Sequence, residues 1–186
     1  MNMSVLKTGS VTLRPTRRAD IARQREYFRD EELAWLDSST PEAYSELDVE
    51  NLLQPDSDGS QETIRFAIEV AGEYVGYCFL MNTENPDGIY ELGISISNRH
   101  YWNRGLGRQA IGLMLQLGFE RAGAKEIQLT TNAKNERAIR CFVAAGFRET
   151  GRIPEAIQFR EEMVDAIEMA ITVEDWKSSI EVAGAS

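Results

Sequence analysis

Three runs of alternating apolar residues constrain this chain most, because a period of two buries one face of a strand and so calls for a sheet. Ile64, Phe66, Ile68 and Val70 form the first run; Val75, Tyr77, Phe79 and Met81 form the second. The turn signal Ala71-Gly72 between them makes the pair a hairpin. After Pro86-Asp87-Gly88, a third strand puts Leu92, Ile94 and Ile96 on one face and Glu91, Gly93 and Ser95 on the other. From Gly105 the period lengthens: Ala110, Leu113, Met114 and Leu117 stripe a helix that runs to about Ala122 and stops at Gly123. Ile127, Leu129 and Thr131 predict another strand. Asn135 then caps a helix carrying Ala138, Ile139 and Phe142, closed by Gly146, and strands over about 147–153 and 163–171 pair antiparallel. Upstream, Val11 and Leu13 before Arg14-Pro15 predict a short strand, followed by a helix capped by Thr16 or Asp20 and ending near Arg29. A second helix is expected from Thr40-Pro41 to about Leu53, with a polar loop over 54–60. This order predicts an α+β fold with a mostly antiparallel sheet.

A length of 186 residues suits one core, so a single domain is expected over 1–176, with 177–186 as a frayed tail. No apolar run approaches the ~20 residues of a bilayer span, and the first ten residues lack the apolar centre of a signal peptide. A cytoplasmic protein without a membrane partner is the expectation. Cys78 and Cys141 lack C-x-x-C spacing and His100 is the sole histidine, which disfavours a disulfide framework and a metal site. The pI of about 4.7 disfavours a nucleic-acid partner. The net charge of −10 is unevenly spread. Residues 30–62 hold 11 Asp or Glu and no Lys or Arg, whereas 98–152 hold ten basic and four acidic side chains. One stretch attracts cations and the other anions, although an acidic run is equally read as a solvated face.

The segment Asn103-Arg104-Gly105-Leu106-Gly107-Arg108-Gln109-Ala110 stands between a strand and a helix. Its glycines let backbone approach a ligand closely, the helix start offers unpaired N–H groups suited to phosphate, and Arg104 and Arg108 add charge. A dinucleotide fingerprint needs the first glycine directly after a strand and an acidic residue about twenty positions on. Eight residues separate Ile96 from Gly105, and the next strand ends in Thr130-Thr131-Asn132, so a nicotinamide or flavin site is disfavoured. The lack of G-K-[ST] excludes a P-loop.

Three stretches carry a family likeness: Tyr90-Glu-Leu-Gly-Ile-Ser-Ile96, Tyr101-Trp-Asn-Arg-Gly-Leu-Gly107, and Asn135-Glu-Arg-Ala-Ile-Arg-Cys-Phe-Val-Ala-Ala-Gly-Phe147, continuing through Gly151-Arg152 to Val164–Met169. In these the chain resembles the GCN5-related N-acetyltransferase (GNAT) superfamily, in particular its ribosomal-protein-acetyltransferase-like and spermidine-acetyltransferase-like branch. Trp102 departs from the family's usual Arg or Gln at that place. The resemblance implies a mostly antiparallel mixed sheet flanked by helices, with splayed central strands forming a cleft for acetyl-CoA as cosubstrate. It implies that Arg104, Gly105, Leu106, Gly107, Arg108 and Gln109 bind the pyrophosphate and that backbone of Ile94, Ser95 and Ile96 holds the pantetheine. Asn135 is implied on the pantetheine arm, with a plain helix cap as the other reading.

The reaction implied is direct acyl transfer to an amine. Such an amine has a pKa of ~10.4 and must lose a proton before it attacks. Glu91 is the candidate base, through a water, with an ordinary exposed carboxylate as the alternative, and an N–H of the Ile94–Ile96 stretch is the candidate oxyanion donor. Phe142 stands where many relatives place a tyrosine that protonates the leaving thiolate. Tyr101 is a replacement candidate, and a coenzyme-binding relative with little or no turnover is the alternative function. In the family the connection between the first two helices borders the acceptor, so Asp30, Glu31, Glu32, Trp35 and Asp37 are expected to receive a small cationic amine or a basic peptide N-terminus. Edge strands of such a sheet make a homodimer a candidate assembly.

Overall fold

The computed structural model describes residues 5–38, 63–83 and 87–184. The expected helix from Thr40 to Leu53, the polar loop after it, and seven of the eleven acidic residues of 30–62 lie outside the described residues. In chain order, the described elements are β1 (Leu6–Thr8), β2 (Val11–Arg14), α1 (Arg18–Tyr27), α2 (Glu31–Ser38), β3 (Thr63–Val70), β4 (Glu73–Asn82) and β5 (Ile89–Ile96). After a 3-10 turn at Arg99–Tyr101 come α3 (Leu106–Leu117), β6 (Glu126–Asn132), α4 (Glu136–Ala144), β7 (Arg148–Phe159), β8 (Glu162–Thr172) and α5 (Val173–Gly184).

Eight strands form one sheet in the order β1-β2-β3-β4-β5-β6-β8-β7. All neighbours are antiparallel except β5 and β6, which are parallel and pair only over Ile89↔Glu126, Tyr90↔Ile127 and Glu91↔Gln128. Past Glu91 the strands part, as expected. The β3–β4 hairpin turns at Ala71 (φ 52°) and Gly72 (φ 83°), two positive-φ positions whose twist matches the flanking strands.

Each face of the sheet buries its own cluster. On one side the α3 stripe of Leu106, Ala110, Ile111, Met114 and Leu117 packs with Phe66, Ile68, Leu80, Leu92 and Ile127. On the other, Phe28 and Leu33 pack on Tyr77, with Phe79 and Trp102 alongside. The alternation of Tyr77 and Phe79 therefore marks the second face, while Cys78 and Leu80 face the main core. α1 is fastened to the sheet by a buried fork: Arg14 donates to both oxygens of Asp20 at 2.7 and 2.9 Å and to Glu69 at 2.5 Å. Asp20 also accepts the Arg17 N–H at 2.6 Å, so it closes the first turn in place of Thr16.

Three expectations need correction. β1 precedes the predicted first strand, and its three residues are too few to show a period. A helix, α2, occupies 31–38 because Asp30 accepts the N–H groups of Glu32 and Leu33 at 3.0 and 3.2 Å, capping its start. The expected frayed tail is helical as far as Gly184, anchored where Trp176 meets Phe119 with ring centroids 5.2 Å apart. Among the described residues no helix is long and apolar enough to cross a membrane.

Candidate active site

The parting of β5 from β6 opens a cleft of about 620 Å³, whose lining includes Glu91 to Ile96, Leu129 to Asn132, the start of α3 and the first turns of α4. A Cβ built on Gly76 of β4 would fall 2.0 Å from the Ser95 carbonyl oxygen, so that carbonyl points at β4. Polar groups of successive strand residues alternate in direction, which turns those of Ile94 and Ile96 toward the gap. The Ile96 carbonyl there accepts from Trp102 Nε1 at 2.5 Å. Ser95 instead contributes a buried hydroxyl, hydrogen-bonded to that of Ser97 at 3.2 Å.

At the mouth of the gap, Gly105 caps α3 with φ +71° and nothing within 4 Å of where a Cβ would stand. The first helical hydrogen bond runs from Gln109 N–H to the Gly105 carbonyl at 3.1 Å, leaving the N–H groups of Leu106, Gly107 and Arg108 without helical partners. Arg104 and Arg108 are exposed and make no ion pair among the described residues. Main-chain donors, the positive end of a helix and two available cations together fit a diphosphate. Gly107 is small for a second reason, since a Cβ there would lie 3.1 Å from Cys141 Sγ on α4. Gln109, expected in this set, is committed elsewhere: its Oε1 accepts the Ser10 N–H at 3.1 Å and its own N–H closes the helix.

Asn135 caps α4 by accepting the Ala138 N–H at 3.2 Å, and its Nδ2 donates to the Leu36 carbonyl of α2 at 3.3 Å. Arg137, in the first turn of α4, lines the cleft with its guanidinium 3.3 Å from the Trp102 ring centroid. Burial lowers its pKa, as do Arg99 and Arg140, against an opposing pull from Glu32. Sequence reasoning missed this residue, although it sits two places after the recognised Asn135.

Leu33, Leu36 and Asp37 of α2 line the cleft as well. Asp37 lines the cleft and accepts the Tyr77 hydroxyl at 2.6 Å, and Glu91 is the other carboxylate in the described lining. Gly93, also in the lining, lies against the Phe79 ring, which would be 2.2 Å from a Cβ built there. Of the other acidic candidates, Asp30 and Glu32 are spent on Arg99, at 2.5 and 2.8 Å, and Glu31 is exposed outside the lining. Trp35 is buried outside the lining too, its ring 5.8 Å from that of Phe159. Tyr101 lines the cleft but donates its proton to Glu73 at 2.8 Å, and this bond raises its pKa. Phe142 is buried against Phe147, a core residue without a transferable proton.

The fold matches solved acetyltransferases along nearly its whole length. Spermidine N-acetyltransferase from Vibrio cholerae, solved with CoA and spermine, superposes with a TM-score of 0.78 at 21% identity, covering 90% of this chain and 98% of that one. A GNAT acetyltransferase from Bacillus anthracis gives 0.74 at 23% identity over 92% and 99% of the two chains. Aminoglycoside acetyltransferase AAC(6')-Ib with coenzyme A gives 0.73 at 22% over 91% and 98%. A kanamycin resistance protein of Rhizobium radiobacter is 30% identical over 70 residues, which span 38% of this chain and 65% of that relative, less than two thirds of its length. The model of the acetyltransferase (GNAT) domain matches residues 10–148, from the Gln109-bound turn before β2 to the start of β7. With the split sheet and the glycine-capped α3 inside that span, the chain belongs to the acetyltransferase (GNAT) domain family.

Proposed function

We propose that the protein transfers the acetyl group of acetyl-CoA to a primary amine of a cationic acceptor by direct attack of the nitrogen. The observation that carries this reading is the parting of β5 and β6 immediately beside the free N–H groups of α3. Leu106, Gly107 and Arg108, helped by Arg104, hold the diphosphate, and the gap-facing backbone of Ile94 and Ile96 lines the path of the pantetheine. Acetyl-CoA supplies an acyl carbon on a thiolate leaving group, so a C–N bond forms as the C–S bond breaks. The chain's own part is to move protons and steady charge. Glu91 accepts the amine's proton, directly or through water. The Ile94 N–H faces the gap, where a donor stabilises the oxygen that gains charge. No tyrosine stands at Phe142 to protonate the sulfur, and a thiol with a pKa near ~8.5 leaves tolerably as an anion.

The cationic preference is supported by Asp37 and Glu91, the carboxylates of the described lining, and by the likeness to a spermidine N-acetyltransferase solved with CoA and spermine. Phe142 supports a second reading, a coenzyme-binding relative with little turnover. A thiol-release assay with acetyl-CoA and a panel of spermidine, kanamycin and a basic peptide separates the two. Amine-dependent release is expected. Binding of CoA with no release above hydrolysis for any amine establishes the second reading.

A further inference from the structure

α2 crosses the split in the sheet as a strap. On the β5 side, Arg99 ties its start through Asp30 and Glu32, and Tyr77 of β4 holds Asp37 near its end. On the β6 side, Asn135 of α4 donates to the Leu36 carbonyl at 3.3 Å. That carbonyl belongs to the last described turn of α2. The two ends of one amide therefore have separate partners: Oδ1 caps α4 through Ala138, and Nδ2 holds α2.

We propose that Asn135 is a positioning residue for the acceptor site. Its Nδ2 fixes the final turn of α2, and with it Asp37, over the cleft, so that the helix beside the coenzyme and the roof over the amine move as one. This rests on the acetyl transfer proposed above.

Substitution separates the two ends. Asn135→Ser keeps a capping oxygen, as serine caps about as well as asparagine, but its hydroxyl is too short to span to Leu36. Asn135→Asp keeps the cap and sets an acceptor against the Leu36 carbonyl. In both variants, amide hydrogen exchange across 33–38 is expected to quicken about tenfold, with α4 and β3–β4 staying within about twofold. The KM for the amine rises about tenfold, more in the Asp variant, while kcat changes less and the CoA dissociation constant stays within about twofold. Weakened CoA binding with unchanged exchange in α2 and unchanged amine KM would make Asn135 a coenzyme ligand and overturn the proposal. So would exchange that quickens throughout α4, which means the cap itself has gone, or no change in any readout. Hydrogen exchange needs no turnover, so failure of the strap and failure of acetyl transfer to every amine are distinct results.

Discussion

At the proposed coenzyme end of the cleft the donors are the N–H groups of Leu106, Gly107 and Arg108, and the local demands are a residue that tolerates φ +71° at position 105 and a small one at 107. At the proposed acceptor end, Asp37 is placed by Tyr77, 40 positions away, on a helix that accepts from Asn135, 99 positions from Leu36. The first is built from main chain within one short segment, the second from side chains gathered across the fold. A main-chain site withstands most side-chain changes and fails when the backbone does. A side-chain site loses selectivity one group at a time and leaves coenzyme binding alone.

That contrast sets the size and kind of each expected effect. Glu91→Gln removes the proton acceptor while keeping shape, so kcat should fall by about 10²- to 10⁴-fold with CoA affinity unchanged, measured by steady-state rates and calorimetry. A matching loss of CoA affinity would place Glu91 in the coenzyme half. Gly105→Val forces a β-branched residue into the left-handed region at a cost of ~1–3 kcal/mol. The CoA dissociation constant should rise about 10- to 100-fold, whereas Arg108→Ala should cost less because the amides remain. Asp37→Asn preserves an acceptor for the Tyr77 hydroxyl and deletes the charge. The KM for a cationic amine should then rise about tenfold, with that for acetyl-CoA constant. Smallest is salt: between low and about 0.5 M ionic strength, kcat/KM for a cationic amine should drop about twofold, since Asp30 and Glu32 share the Arg99 cation and keep only one uncompensated charge between them. A neutral amine showing the same drop would assign the effect to the coenzyme end.

The same contrast explains what could be read from residue order alone. The β3–β4 hairpin, β5, α3 and the Asn135 cap are local patterns, and each appears where its period and turn residues put it. Strand parting is not encoded in any one strand; only the family likeness supplied it. Asp30 was visible as an acid, but its partner Arg99 lies 69 positions away, so its part in a helix cap and an ion pair could not be read from charge counting. Tyr77 and Phe79 carried a correct alternation whose buried face could not be told from the opposite one, because both faces of β4 are covered. Gln109 fell within the glycine motif yet serves the β1–β2 turn, a contact across 99 positions.

The glycine-capped start of α3 asks almost nothing of the chemistry of its neighbours' side chains. Substitutions in α2 can therefore reshape the roof of the cleft while leaving the main-chain donors at the start of α3 in place.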